Sequence, residues 1–531
     1  MTELEYWTRQ IVKGRISRRE FMGRAAALGV TTALASTMLS EAGVAATPKQ
    51  GGSARFGVGQ GATTDTLDPT GYPDLGSQLP FSGAMSNSLT EIDAKGNITG
   101  DVAESMEPAD GAKTWVFKIR KGVTFHNGKT LTPDDVIASY RHHMGPDSKS
   151  AAKTFLNAVT DIKADGPDTV IFTLSNGNAD WPYICADYHI TMLPAKADGS
   201  ADWQSGVRTG PYVFGHWEPG VRAELKRNPN YHKPGKPHFD EVTFITLADV
   251  TARTNALITG QVDWISRCDL KTLNLLKENS KIAIAETAGY GHYVFSMFVD
   301  QPPFDNNDVR LALKYAINRE EIAKKVFLGH AVPGNDNPIA KAIKFAIDPK
   351  PDFTYNPDKA KFHLKKAGLS SLKVALSVAD AAFSGSVDAA VLYQQHAKVA
   401  GIDINVVREP DDGYWDKVWL KKAWCASYWS GRSTCDLSMT LSYAKGAAWN
   451  ETHYANPHFN DVLVAARSET DDKKRAGMYA ELQQLLHDDG GVIVIVFNSY
   501  VEANSKKMAH GTIAPNWEAD GLRIAERWWF A

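Results

Sequence analysis

The chain predicts an α/β fold, and three stretches carry that prediction. Residues 372–378, a helical stretch over 386–400 and residues 402–407 read as strand, helix, strand, with Gly401 marking the second junction. Strands joined through a crossover helix run parallel, which is the α/β signature. Trp115, Phe117 and Ile119 alternate with Val116, Lys118 and Arg120, the period-two pattern of a half-buried strand. Residues 491–497 form an apolar run that suits a buried strand late in the chain.

Taken in order, the first 46 residues read as an export address and stand apart from the fold. Ser17-Arg18-Arg19-Glu20-Phe21-Met22 is a twin-arginine motif, a mildly apolar run follows over 25–39, and Val44-Ala45-Ala46 is a small-residue cleavage site. The mature chain is expected to begin near Thr47 and to reach the periplasm through the twin-arginine translocase. With no cysteine near the cleavage site it is expected to diffuse freely, without a lipid anchor. No stretch reaches the roughly 18 to 20 apolar residues of a membrane span.

The 531 residues leave room for about three structural units at roughly 150 residues each. Residues 51–58 read as a first strand, and residues 88–202 as a separable unit. Within that unit Asn127-Gly128 supplies a turn. Thr132, Pro133, Asp134 and Asp135 then open a helix that buries Val136, Ile137 and Tyr140. The hydroxyl caps free N–H groups, proline is tolerated at the first helical position, and the acids suit the positive helix end. A strand is expected over 169–174 and a strand and helix over 240–246 and 253–264. Asn356-Pro357 opens a further helix that Ala367-Gly368 closes.

Composition narrows function. Fifty-eight basic and 61 acidic residues leave a net charge of −3, so no global field points to nucleic acid. The 14 tryptophans and 18 tyrosines are large contact surfaces of the kind that enclose a ligand, although core packing claims most of them. The four cysteines are Cys185, Cys268, Cys425 and Cys435. In an oxidising compartment they allow three pairings. Cys425 with Cys435 is the preferred bridge because it would close a short loop, and four unpaired buried thiols are the alternative. No Cys-x-x-Cys pair suggests zinc or a redox centre.

Residues 102–140 also carry a family resemblance. Ala103, Glu104, Ser105, Gly111, Trp115, Phe117, Arg120, Gly122, Val123, Phe125, His126, Gly128, Leu131, Thr132, Asp135 and Val136 resemble the signature of the dipeptide and oligopeptide class of periplasmic solute-binding proteins. The turn at residues 110–113 is a slightly shifted version of the family's. Thr64 to Pro69, Thr209-Gly210-Pro211-Tyr212, and Leu225 to Tyr231 with Asn228-Pro229-Asn230 continue the likeness. Pro303-Phe304, Val309-Arg310, Ala312-Leu313, Ala316-Ile317 and Arg319-Glu320 match what the family carries as one helix. The resemblance spans essentially the whole mature chain. It implies two hinged lobes with mixed sheets: residues 47–90, 206–297 and 491–531 in the first, 91–205 as its subdomain, and 298–490 in the second. It also implies capture of a small solute between the lobes and delivery to an inner-membrane ABC permease, by a monomer that needs no cofactor or metal and catalyses nothing.

Residues 414–429 hold Tyr414, Trp415, Trp419, Trp424, Tyr428 and Trp429. Trp415 and Trp419 are expected in the core. The resemblance assigns Trp429 to the ligand, and in peptide-binding members an aspartate three residues later pairs with the peptide's α-ammonium group. Here that position is Arg432. Its planar fork suits a carboxylate held bidentately, so an acidic group on the ligand is expected, with an internal Arg432–Asp436 pair as the alternative. Tyr428, Trp429, Arg432 and Asp436 are the candidate ligand residues. Trp449 and Asn450 form a candidate second wall, with a packed loop as the other reading.

Enzyme-like strings do not hold. Residues 122–130 have five residues between glycines where a phosphate loop has four, and Gly57, Gly59 and Gly61 lack the dinucleotide spacing. Adjacent helical residues His142 and His143 point apart. A twin-arginine-exported cofactor enzyme and a sensor subunit that presents its ligand to a chemoreceptor remain the rival classes.

Overall fold

The computed structural model describes residues 48–531 other than 151, 411–413 and 448, and of the first 47 residues only 3, 6, 7, 10, 16, 18–28 and 30. Arg18–Ala27 is helical, with Phe21 and Ala25 buried. The expected cleavage site at Val44-Ala45-Ala46, Thr47 and most of the apolar run lie outside the described residues.

One eleven-stranded mixed sheet runs through both lobes. Its order is Ile402–Arg408, Leu372–Val378, Trp424–Trp429, Ile282–Met297, Val492–Ser505, Trp264–Ile265, Ser53–Val58, Glu241–Thr246, Arg222–Arg227, Tyr212–Glu218, with Ala331–Pro333 off the path against Val492–Ser505. The expected β-α-β unit is there. Leu372–Val378 and Ile402–Arg408 pair in parallel, and helix Ser386–Lys398 makes the crossover.

Residues 91–205 contribute a separate four-stranded antiparallel sheet ordered Ala103–Ala109, Thr114–Ile119, Thr169–Leu174, Val159–Ala164. Trp115, Phe117 and Ile119 are buried as their alternation requires. Helix Pro133–His143 covers the sheet with Val136, Ile137 and Tyr140 inward, and Asp135 accepts hydrogen bonds from the Thr132 N–H and hydroxyl at 2.9 and 2.8 Å. Aromatic residues anchor each unit: Phe56, Trp264 and Trp528 in the first lobe, Phe172 and Trp181 in the small sheet, Phe295 and Trp424 in the second lobe.

Two sequence expectations change. The helix expected through Pro303 to Glu320 is two helices, Asn307–Tyr315 and Arg319–Lys325. Asn318 causes the break by accepting from the Glu321 N–H at 3.0 Å, which starts a second helix. The strand expected over 491–497 extends to Ser505, because beyond residue 497 it pairs with the first half of Ile282–Met297.

These two long strands are the only continuous secondary structure crossing between lobes among the described residues. Their ladder breaks between Ala288 and His292, where Gly289, Tyr290 and Gly291 oppose Asn498. Both glycines give room to side chains of the facing strand. A Cβ on Gly289 would lie 2.7 Å from the Tyr500 ring, and one on Gly291 would lie 2.6 Å from Asn498 Oδ1.

Just past the break, Glu502 is buried with no cation beside it among the described residues. It accepts from the Ala519 N–H at 2.6 Å and the Trp264 indole N–H at 3.3 Å. Burial pushes its carboxyl from 4.5 up to about 8, with the Glu518 charge adding to it. A folded pKa above the unfolded one means the folded state holds a proton that the unfolded state releases. Stability from this group is therefore full below about pH 4.5 and is lost as pH rises towards about 8. Thermal melts across this window are expected to fall with pH in the parent protein, and Glu502→Gln to flatten the decline. Parallel profiles for the two proteins would refute the assignment.

Candidate functional site

Strand Trp424–Trp429 delivers the site. It pairs with the second-lobe half of Ile282–Met297, which sets Trp429 opposite His292 beside the glycine break. Residues 430–434 then turn across that break. Gly431 takes a left-handed φ of +83°, and a Cβ there would come within 2.5 Å of Tyr290 Cβ. No other residue type allows this approach. The turn brings Arg432 near Asp187, Tyr188 and Tyr428.

Arg432 is partly exposed, yet it forms no ion pair among the described residues. Nη1 donates to the Gly431 carbonyl at 2.6 Å, while Nε is buried without a partner. Burial lowers its pKa from the ordinary 12.5, and the charge of Asp187 with the phenols of Tyr188 and Tyr428 pulls the other way. Asp187 is committed elsewhere: its Oδ1 accepts from the His189 N–H at 3.0 Å and meets His189 Nδ1 at 2.8 Å. Arg432 is thus a guanidinium with spare donors facing first-lobe residues.

The internal Arg432–Asp436 pair, the alternative to a ligand partner for Arg432, does not form. Asp436 is buried and accepts from Arg467 Nε at 3.1 Å with both oxygens, since helix Cys435–Ser442 turns it towards helix Pro457–Ser468. It faces away from the cleft. Burial pushes Asp436 up to about 6 against the pull of Arg467. Asn450 is also turned inward. Its amide donates to the carbonyls of Ala444 and Tyr454 and accepts from Thr452 and Tyr454, so the packed-loop reading holds for it.

The aromatic candidates separate differently. Trp429 is 7% exposed, whereas Tyr428 and Trp449 are each 46% exposed. Trp415 and Trp419, expected in the core, are not in it. Trp415 is 37% exposed, whereas Trp419 is partly buried at the edge of the second-lobe core, and the two rings pack with centroids 5.6 Å apart.

The Cys425–Cys435 bridge is absent. All four cysteines are free and buried in different cores, and Cys435 lies against the Lys344 carbonyl.

Three residues that sequence reading missed belong to this neighbourhood. His292 is buried between Trp429 and Phe497 with neither ring nitrogen hydrogen-bonded, and burial, with Arg432 nearby, pushes it down to about 4. It is neutral at physiological pH and adds no charge to the site. Tyr188 contributes a ring tilted against Trp517, with centroids 5.3 Å apart. Glu451 is buried among indoles. Its one sequence signal is a carboxylate two residues past Trp449.

Elsewhere, a cavity of about 280 Å³ lies between the small sheet and the second lobe, lined by Met106, Trp115 and Tyr183 on one side and Lys344 and Arg475 on the other. The buried Arg475–Asp180 pair at 2.8 Å and the Ala179 N–H donating to the Arg467 carbonyl at 2.7 Å close its flank. Among the described residues no helix is long and apolar enough to cross a membrane.

Comparison with known proteins agrees with this architecture. The family model for bacterial extracellular solute-binding proteins, family 5 Middle, matches residues 97–451. The glutathione-binding protein GsiB of Pectobacterium atrosepticum is 25% identical over 475 residues, 86% of this chain and 91% of that protein. Among solved structures, HbpA2 from Haemophilus parasuis superposes with a TM-score of 0.79 at 19% identity, covering 88% of this chain and 98% of that one. AgaA from A. tumefaciens R10, in complex with agropinic acid, gives 0.72 at 24% identity, covering 90% and 99%. The chain belongs to the family 5 bacterial extracellular solute-binding proteins, as a two-lobed, non-enzymatic solute-binding component of an ABC importer.

Proposed function

We propose that the cleft captures a small carboxylate-bearing solute, peptide-like or amino-acid-derived, with Arg432 receiving its acidic group and Trp429, Tyr428 and Trp449 walling it. The observation that carries this reading is the unpaired guanidinium. Enclosing a charge without a partner is costly, and a ligand carboxylate supplies two acceptors in the geometry of the fork. The GsiB relatives, named for glutathione, a tripeptide with two carboxylates, add support.

The protein is read as a periplasmic monomer exported by the twin-arginine translocase, delivering its solute to an inner-membrane permease. The division is read as residues 47–90, 206–297 and 491–531 in the first lobe, 91–205 as its subdomain, and 298–490 in the second. The crossing of both long strands at Gly289 to Gly291 supports hinge motion there.

Native mass spectrometry of protein purified from the periplasm, followed by a thermal-shift survey of acidic peptides, opines and other carboxylates, tests the proposal. A bound carboxylate is expected to raise the melting temperature, as mass action requires, by about 2.7 kcal/mol of stability at a hundredfold excess over Kd. Stabilisation by neutral or cationic solutes alone would leave binding intact and remove the anion site.

A further inference from the structure

Next to Arg432 the second lobe exposes a continuous row of rings. Tyr428 meets Trp415 at 5.5 Å between centroids, Trp415 meets Trp419 at 5.6 Å, Trp419 meets Trp449 at 6.3 Å, and Trp449 meets Trp429 at 6.2 Å. Three of the five are more than one third exposed. Grouped apolar surface of this kind marks a contact site.

Under the row lies Glu451, 1% exposed. Its Oε1 accepts from the Ser296 hydroxyl at 2.7 Å and the Trp429 indole N–H at 2.9 Å, and its Oε2 accepts from the Trp419 indole N–H at 2.6 Å. No ion pair neutralises it among the described residues. A buried carboxylate is tolerated only where donors replace its hydration, so these three bonds also fix the donors. Pinning both indole N–H groups inward holds the two rings in one orientation, and Trp449, 46% exposed, packs against both. The row begins at Tyr428 and ends at Trp429, which sits beside the glycine break three residues before Arg432. It is continuous with the anion site.

We infer that Trp419 and Trp449, braced by Glu451 as a positioning residue, form an aromatic subsite that stacks a planar ring of the same ligand, so that the solute class is an aryl or heteroaryl carboxylate. This rests on the reading of Arg432 as the anion receptor. Offset stacking on an indole strengthens binding beyond the area it buries, and two rigid rings lose little entropy in doing so.

Calorimetric titration with two matched probes, N-benzoylglycine and N-acetylglycine, separates the two sites. Both carry one carboxylate and only the first carries a ring. The benzoyl probe is expected to bind the parent protein roughly tenfold more tightly. Trp449→Ala, an exposed substitution, is expected to abolish that preference by weakening the benzoyl probe roughly tenfold more than the acetyl probe, and Arg432→Ala to weaken both probes alike. Glu451→Gln is expected to reduce the preference and to change the near-ultraviolet tryptophan circular dichroism of the ligand-free protein. Equal affinities in the parent, or an undiminished preference in Trp449→Ala, would overturn the ring subsite and leave the anion site standing. Binding of neither probe would also overturn it, while Arg432-dependent binding of another carboxylate in the thermal survey would keep the anion site.

Discussion

Arg432→Ala is expected to weaken binding of the carboxylate found in the thermal survey by roughly 10- to 100-fold, the effect of losing charge-assisted hydrogen bonds. The ligand-free protein should respond in the opposite direction. With no ion pair among the described residues and a buried, unpartnered Nε, the guanidinium is a desolvated charge whose removal relieves a cost. The apo melting temperature is therefore expected to hold or rise while the ligand-induced shift collapses. Arg432→Lys keeps the charge but loses the planar fork, so its affinity should fall between the two. Calorimetry gives the affinities and unfolding scans give the stabilities. A lower apo melting temperature with unchanged affinity would make Arg432 a structural residue and remove the anion site.

The second large effect is on folding. Asp101 is buried, and its oxygens accept from Asn87 Nδ2, Lys233 Nζ at 3.2 Å and Arg523 Nη2 at 3.1 Å, with His232 Nε2 at 3.2 Å. Glu526 is buried beside it and shares Lys233 and Arg523. Three segments distant in sequence meet there. Asp101→Ala removes the carboxylate that joins Asn87, Lys233 and Arg523, leaving the two cations to Glu91 and Glu526, and breaking this buried network is expected to cost about 3 kcal/mol in denaturant unfolding. Burial alone would raise both carboxyls, but Lys233 and Arg523 win and hold Asp101 well below 3.8 and Glu526 at about 2. Both folded values lie below the unfolded ones. This stabilisation is therefore complete above about pH 4.5 and is lost as pH falls towards about 2. Asp101→Ala should lose part of that acid dependence. A cost below about 1 kcal/mol would show that the cluster breaks even against its desolvation.

Local rules made much of the fold legible. The alternation of Trp115, Phe117 and Ile119 and the cap at Thr132 depend on neighbours within a few residues, and both elements form where those rules place them. So does the β-α-β unit of residues 372–408. The failures share a cause in partners distant in sequence. Trp415 looks like a core residue among its sequence neighbours, yet it is 37% exposed and packs on the rings of Trp419 and Tyr428. Asp436 lies four residues from Arg432, which made that pairing natural, but the neighbouring helix offers Arg467 instead. Cys425 and Cys435 are close along the chain and lie in separate cores.

Within the candidate site, the sequence and the family resemblance it carries singled out Arg432, where the resemblance implies an acid. Composition also placed tryptophans around it. Only the tertiary structure decided that Arg432 has no ion-pair partner among the described residues, that Asn450 and Asp436 are buried with partners of their own, and that Glu451 draws two indoles into one row. Those outcomes depend on which donors and acceptors meet after lobes and loops have packed. Burial and pairing are properties of that packing, and no spacing along the chain encodes them.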